Sequence, residues 1–338
     1  MRAGAAGRVE VTLRDLHPPP TRFREDVRAG LTSRPRRILP KYLYDERGAH
    51  LFDEITRLDA YYPTRTEIGI LRAHIFEIAE AIGTRARIVE LGSGSGVKTR
   101  LLMRHLDAPA SYVPVDISRT QLMDFALTIA REFGGLRVSP VCADYTGDWV
   151  LPVPGAGVSR TVAFFPGSTI GNLDAGEAPR FLQRLGRVCG VEGGLLVGAD
   201  LHKDRRTLER AYDDPEGVTA AFNLNLLERM NRECGTNFDR TAFGHHASYD
   251  EEHRRIEMRL VCERDMLVNL PAGNGSGSSL AILLERGEFI VTEYSHKYTL
   301  EGFRALIESA GWSVQRVWTD ARQWFSVWLL RRSAGPAD

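Results

Sequence analysis

Arg87-Ile88-Val89-Glu90-Leu91-Gly92-Ser93-Gly94-Ser95-Gly96 is an apolar run followed by alternating glycines. Arg87 to Leu91 reads as a buried strand, and Val97 to Leu106 has helical spacing. The glycines therefore occupy a strand-to-helix turn. There a missing Cβ permits positive φ and lets a ligand approach the backbone. Working outward, Tyr112 to Asp116 is a second strand, and Thr120 to Phe133 a helix leading to a strand from Leu136 to Cys142. Arg160 to Phe165 is another strand, ending at Pro166-Gly167-Ser168-Thr169. Residues 177 to 187 form a helix and Gly194 to Asp200 a strand. The alternation predicts an α/β chain with a parallel, doubly wound, Rossmann-like sheet.

Asp116 closes the second strand 24 residues after Gly92, where an acid accepts hydrogen bonds from ribose hydroxyls. A nicotinamide site would use the related Gly-x-Gly-x-x-Gly. Three features favour S-adenosylmethionine instead. Glu90 precedes the first glycine, the glycines alternate, and the third strand ends in Cys142-Ala143-Asp144-Tyr145. Asp144 there suits an adenine amino group and Tyr145 flanks its ring.

Pro63-Thr64-Arg65-Thr66-Glu67 opens an earlier helix, with capping-box spacing between Thr64 and Glu67. Residues 203 to 297 break the α/β alternation, and Gly273 to Ser279 reads as a flexible hairpin loop or linker. A helix from Leu300 to Ala310 and a strand from Gln323 to Leu330 follow, so the sheet is completed from the C-terminus. Lys+Arg and Asp+Glu each number 44, which argues against nucleic acid as the main partner. The start has no signal-peptide core and no run approaches a membrane span. The four scattered cysteines suit a reducing, cytoplasmic setting, and His245, His246 and His253 lack a zinc-ligand pattern.

Longer motifs lie outside the sheet pattern. They include Lys41-Tyr42-Leu43-Tyr44-Asp45-Glu46-Arg47-Gly48, Tyr61-Tyr62-Pro63-Thr64-Arg65 and Gly167-Ser168-Thr169-Ile170-Gly171-Asn172. Ala211-Tyr212-Asp213-Asp214, Gly217 to Asn223, Ile256-Glu257-Met258 and Thr292-Glu293 follow in order. From about residue 13 to 330 the chain resembles the histidine-specific Nα-methyltransferases of ergothioneine biosynthesis. The resemblance implies a class I methyltransferase domain, residues 63–202 plus 298–332. It also implies a second, discontinuous α+β substrate domain, residues 13–62 plus 203–297; the Gly/Ala/Arg-rich start at 1–12 reads as disordered from its composition. It implies S-adenosyl-L-methionine at Gly92, Lys98, Asp116, Asp144 and Tyr145, with Tyr44 near the reacting atoms. L-Histidine would meet Tyr61, Asn172, Tyr212, Glu293, Tyr294 and Ser295, with Gly167, Thr219, Phe222 and Met258 lining the pocket. A site within one chain implies a monomer. The sequence departs from the family at Ser95-Gly96-Val97 and in having Tyr145 rather than Phe, and adjacent Tyr61 and Tyr62 leave that match open by one residue.

Methyl transfer from a sulfonium needs a neutral amine aimed at the methyl carbon. Phe222 and the tyrosines suit the cationic product. Asn172 and Tyr212 supply donors for a carboxylate, while Glu293 and Ser295, sharing one strand face, suit an imidazole. Each residue also has a plainer role, Asn172 closing a turn, Glu293 at a solvated strand edge, Met258 in the core. An N-methyltransferase of another aromatic amino acid such as tryptophan, or a non-catalytic cofactor-binding subunit, are the competing readings.

Overall fold

A computed structural model describes residues 11–16, 20–272 and 278–333. Residues 1–10 of the expected disordered start, and 273–277 of the Gly/Ser stretch, lie outside the described residues. Strands are β1 Arg14–Asp15, β2 Arg87–Leu91, β3 Ser111–Asp116, β4 Arg137–Val138, β5 Val141–Cys142, β6 Thr161–Phe165 and β7 Gly194–Asp200. They continue with β8 Phe243–Asp250, β9 Arg255–Cys262, β10 Met266–Leu270, β11 Leu280–Leu284, β12 Phe289–His296, β13 Trp312–Thr319 and β14 Phe325–Arg332. Helices are α1 Pro20–Thr32, α2 Glu46–Ile55, α3 Tyr62–Ile82, α4 Val97–Met103, α5 Arg119–Glu132, α6 Glu177–Cys189, α7 Arg205–Tyr212, α8 Val218–Cys234 and α9 Leu300–Ser309.

The large sheet runs β1-β5-β3-β2-β6-β7-β14-β13, with β4 also paired to β3. Pairing is parallel from β1 to β7, and β14 runs antiparallel to both β7 and β13. This is the class I methyltransferase arrangement, a Rossmann-like sheet closed by a late antiparallel strand. Alternation along each strand feeds two cores. On one face Ile88, Tyr112, Val162 and Phe164 pack with Ile75 and Ile78 of α3 and Ile129 of α5. On the other, Val89, Val113, Ala163 and Phe165 pack with Phe181 and Leu185 of α6 and Phe303 of α9. The strand expected over 136–142 is two short pieces, because Pro140 between them has no N–H to give the ladder.

A separate core joins Phe23 to Tyr62 with Leu208 to Ile290. It holds the sheet β12-β9-β8 and the hairpin β10-β11, against α1, α2, α7 and α8. Arg14–Asp15 do not join it; they pair with Val141–Cys142 in the large sheet, so the chain crosses after residue 15 rather than before 13. Where the chain returns from β12, Tyr298 N donates to Asp200 O (3.0 Å) and His202 N to Tyr298 O (2.8 Å). The ends of β7 and β12 therefore lie side by side. All four cysteines are buried and free. Among the described residues no helix is long and apolar enough to cross a membrane.

Candidate active site

The loop after β2 is fixed from below. Buried Glu90 accepts from Thr99 Oγ1 with both oxygens (2.7 and 2.9 Å) and from Tyr112 OH, tying β2 to α4 and β3. Burial pushes its carboxyl up to about 7. Above it, Gly92 has φ +74°, and a Cβ there would meet only the Tyr145 ring, at 3.9 Å. Asp116 ends β3 half-buried and accepts from Ser118 N at 3.0 Å. Burial raises its carboxyl, while the N–H groups of Ser118, Ser93 and Ile117 work the other way. Tyr145 stands edge-on to Phe165 at 5.9 Å. Burial works against ionised Asp144, but Thr146 and the Lys41 ammonium, 2.9 Å away, hold its carboxyl below the usual range.

Lys98 lies at the same end of the sheet, ion-paired to Glu67. Glu67 is buried and accepts Gly167 N at 2.8 Å, and a Cβ on Gly167 would stand 3.5 Å from Lys98 Nζ. The capping box expected between Thr64 and Glu67 does not form. Pro63 lies in the first turn of α3, Tyr61 is the N-cap, and Thr64 and Glu67 fall inside the helix. Glu67 is thus a site-facing residue that its sequence position disguised.

The second group of side chains gathers at the end of β12. A bulge between Val291 and Glu293 sets the register that puts Glu293 opposite Met258. Glu293 and Ser295 lie on one face, while Tyr294 is turned away between the guanidinium groups of Arg255 (3.7 Å) and Arg37 (4.4 Å). Tyr294, expected to meet substrate, is therefore a cation–π partner on the opposite face, as strand alternation dictates. Ser295 Oγ is 2.8 Å from Tyr212 OH. Tyr212 lies 6.0 Å from Tyr61, and Tyr61 lies 6.2 Å from Phe52. Tyr44 packs edge-on to Phe52 (5.3 Å) and Phe222 (5.4 Å). The result is an aromatic wall with a carboxylate on it. Burial pushes Glu293 up to about 7, against the pull of Lys297, and no side chain or backbone group among the described residues hydrogen-bonds it. Burial, then Glu293, Tyr61, Tyr145 and Tyr212, raise the Tyr44 hydroxyl, so Tyr44 stands where the two groups of residues meet.

Tyr61 faces this wall, whereas Tyr62 OH donates to Asp200 Oδ2 (2.6 Å) and accepts from Lys203 Nζ (2.7 Å). Thr219 sits buried in the first turn of α8, its N–H held by Asp214 Oδ1 at 2.7 Å. Asn172 ends the 3-10 turn Thr169–Asn172, which rests on β12 through His296 Nδ1 and Gly171 O (2.8 Å). Its half-buried amide has no partner among the described residues. His245 is taken by Asn223 (2.9 Å) and Tyr212 O (2.8 Å), and His253 by Asp250. Beyond the residues expected from sequence, the geometry adds Phe52, Glu67, Asp200, Lys203 and Lys297. Lys297 had a signal, since it continues the alternation of 293 and 295.

Comparison with known proteins places this geometry in context. A family model described as "Histidine-specific methyltransferase, SAM-dependent" matches residues 23–332. The histidine N-alpha-methyltransferase of Mycobacterium tuberculosis is 41% identical over 313 residues, 92% of this chain and 95% of that protein. Its counterpart in Mycolicibacterium smegmatis is 40% identical over the same shares. Ergothioneine biosynthesis protein 1 of Neurospora crassa is 31% identical over 88% of this chain and 33% of that longer protein.

Proposed function

The chain belongs to the family of histidine-specific, S-adenosylmethionine-dependent methyltransferases, and from that premise we propose how it performs the reaction. It transfers three methyl groups to the α-amino nitrogen of L-histidine, giving Nα,Nα,Nα-trimethylhistidine (hercynine) for ergothioneine biosynthesis. The observation that carries the reading is the meeting of Glu293, Ser295 and Tyr212 on one aromatic wall, next to Tyr44 and the Gly92 loop.

The residues fit the cofactor. Gly92 leaves open space on its Cα except toward Tyr145, and Asp116 keeps a half-buried carboxylate for ribose hydroxyls. Asp144 and Tyr145 would take the adenine, and Lys98 the methionine end beside Gly167. S-adenosylmethionine supplies the electrophilic methyl group when bound. The chain's own task is to aim the amine. Asn172 and Tyr212 grip the carboxylate, Glu293 and Ser295 accept the two N–H groups of the imidazolium, and these two anchors fix the α-nitrogen between them. Met258 behind Glu293 limits the width of the ring slot, and Gly167 and Thr219 complete the lining. The aromatic rings of Tyr44, Tyr61 and Phe222 suit a nitrogen that becomes a permanent cation after the third transfer. The free amine must lose a proton before each transfer, since its ordinary pKa is about 8. Burial holds the Tyr44 hydroxyl protonated, so Tyr44 accepts a hydrogen bond from the ammonium while the proton itself passes to solvent.

The division into a cofactor unit and a substrate unit is part of this proposal, as are a monomeric state, with all site residues in one chain, and a cytoplasmic location, supported by four free cysteines. Incubation with S-adenosylmethionine and each amino acid, read by mass and NMR, tests the function. Histidine should gain three methyl groups on the α-nitrogen and none on the ring. Preferential turnover of tryptophan, or ring methylation, would overturn it.

A further inference from the structure

Beneath Tyr212 and Ser295 lies an ammonium group that the reading above does not use. Lys297 has a fully buried side chain. Its Nζ donates to Tyr212 OH at 2.9 Å and to Ser295 Oγ at 2.8 Å, and is ion-paired with Asp200 Oδ2 at 2.9 Å. Tyr212 OH and Ser295 Oγ are themselves 2.8 Å apart, so the ammonium and the two hydroxyls form a closed triangle. A lysine ammonium only donates, which means that each hydroxyl has already spent one lone pair on it. One hydroxyl proton must then lie between the two oxygens, and the other is left to point into the site. If Ser295 donates to Tyr212, the phenol has both lone pairs filled and its proton faces outward. Ser295 then keeps one lone pair for an incoming donor. If Tyr212 donates to Ser295, the serine alone offers a proton and the phenol offers none.

Only the first order matches the substrate, on the reading that Tyr212 meets the histidine carboxylate and that Glu293 and Ser295 each accept one N–H of a protonated imidazole. We propose that Lys297 is a positioning residue that orders these hydroxyl protons, making Tyr212 a donor to the substrate carboxylate and Ser295 an acceptor for one N–H of the imidazolium. The surrounding charge favours the same outcome. The Lys297 ammonium draws the lone pairs of Tyr212 OH toward itself and turns the phenol proton away, while Asp200 is shared between it and Lys203, the latter at 2.6 Å. Without Lys297 the phenol regains a free lone pair and can turn an acceptor toward the substrate carboxylate.

Lys297→Met tests this, because Asp200 keeps Lys203 and Tyr62 OH as partners and is not left as an unpaired buried charge. The probe pair is histidine and histidinamide, which differ in the carboxylate alone. The ratio of their kcat/KM values should fall at least about tenfold in the variant, through KM for histidine, while S-adenosylhomocysteine affinity by calorimetry stays within about twofold. Lys297→Gln, which loses the charge but keeps an amide donor, serves as the second variant if the methionine chain does not fold. In a Tyr212→Phe background the Lys297 change should alter the ratio no further, since both act through one hydroxyl. Equal loss on both substrates, or the same tenfold fall in the Tyr212→Phe background, overturns the proposal. Failure of the unaltered protein to methylate histidine would overturn the functional reading instead.

Discussion

Glu293 is buried without a hydrogen-bond partner among the described residues, and burial pushes its carboxyl from 4.5 to about 7. A raised carboxyl makes the native state hold a proton that the unfolded chain has already released. Between about pH 4.5 and 7 the native state binds more protons, so stability falls as pH rises through that window. The ligand-free Glu293→Gln protein carries no such slope at this position. Glu90, also pushed to about 7, contributes equally to both proteins and cancels in their difference. Urea denaturation should therefore find the Gln variant gaining on the parent by about 2 kcal/mol more at pH 8 than at pH 5. A difference that is the same at both pH values would mean that Glu293 ionises freely in the native state. On the proposed reading, the same desolvated carboxyl group selects the substrate. It awaits an N–H donor, and a side chain that offers none would leave it buried and unpaired.

At the scale of elements, the turn between β2 and α4 combines two kinds of glycine. Gly94 has φ +47° with nothing within 4 Å of a Cβ, whereas at Gly96, φ +70°, a Cβ would lie 2.1 Å from the Phe125 ring. Gly94→Ala should cost about 1 kcal/mol, from left-handed backbone strain alone. Gly96→Ala should cost a further 1–3 kcal/mol or so, because Phe125 must leave its place between Tyr112 and Arg100. Equal midpoints in urea for the two variants would refute the distinction. The sequence foretold this turn, since strand, glycines and acid follow one another locally. The same holds for β7, whose predicted ends match the observed ones. It hid β13, a strand at the end of the sheet order with a mixed burial pattern, as Trp312 to Thr319 shows no clean alternation. It also disguised Glu67, whose capping-box spacing was an accident of a helix that begins one turn earlier. The pairing of Asp200 with Lys297 was hidden for a different reason. Their meeting depends on the ends of β7 and β12 lying together, and no local pattern encodes that. Glu293, Ser295 and Tyr212 entered through family resemblance, with only the period of two on β12 written in the residues themselves.

Across the whole molecule, the segment from Pro40 to Asp45 touches both sides of the site. Lys41 reaches Asp144 at 2.9 Å, beside the residues proposed for adenine. Three residues on, Tyr44 packs on Phe52 and Phe222 and feels the charge of Glu293, next to the residues proposed for histidine. Asp45 then anchors the segment by capping α2 through Gly48 N (2.8 Å) and by accepting from Asn225 (2.7 Å) and Arg232 (2.6 Å) of α8. A ligand that fixes one end of this short segment lowers the cost of ordering the other, so each should strengthen the binding of its neighbour. The coupling must be reciprocal, with the same factor measured from either ligand. Titration of histidine with and without saturating S-adenosylhomocysteine should show tighter binding in its presence, by a factor on the order of ten, or about 1.4 kcal/mol. Tyr44→Phe retains the ring contacts and should keep most of that factor. Tyr44→Ala removes the ring that spans the two sides, and the factor should fall toward one even where each ligand alone still binds. Undiminished coupling in the alanine variant would show that the two sites communicate through the sheet rather than through this segment.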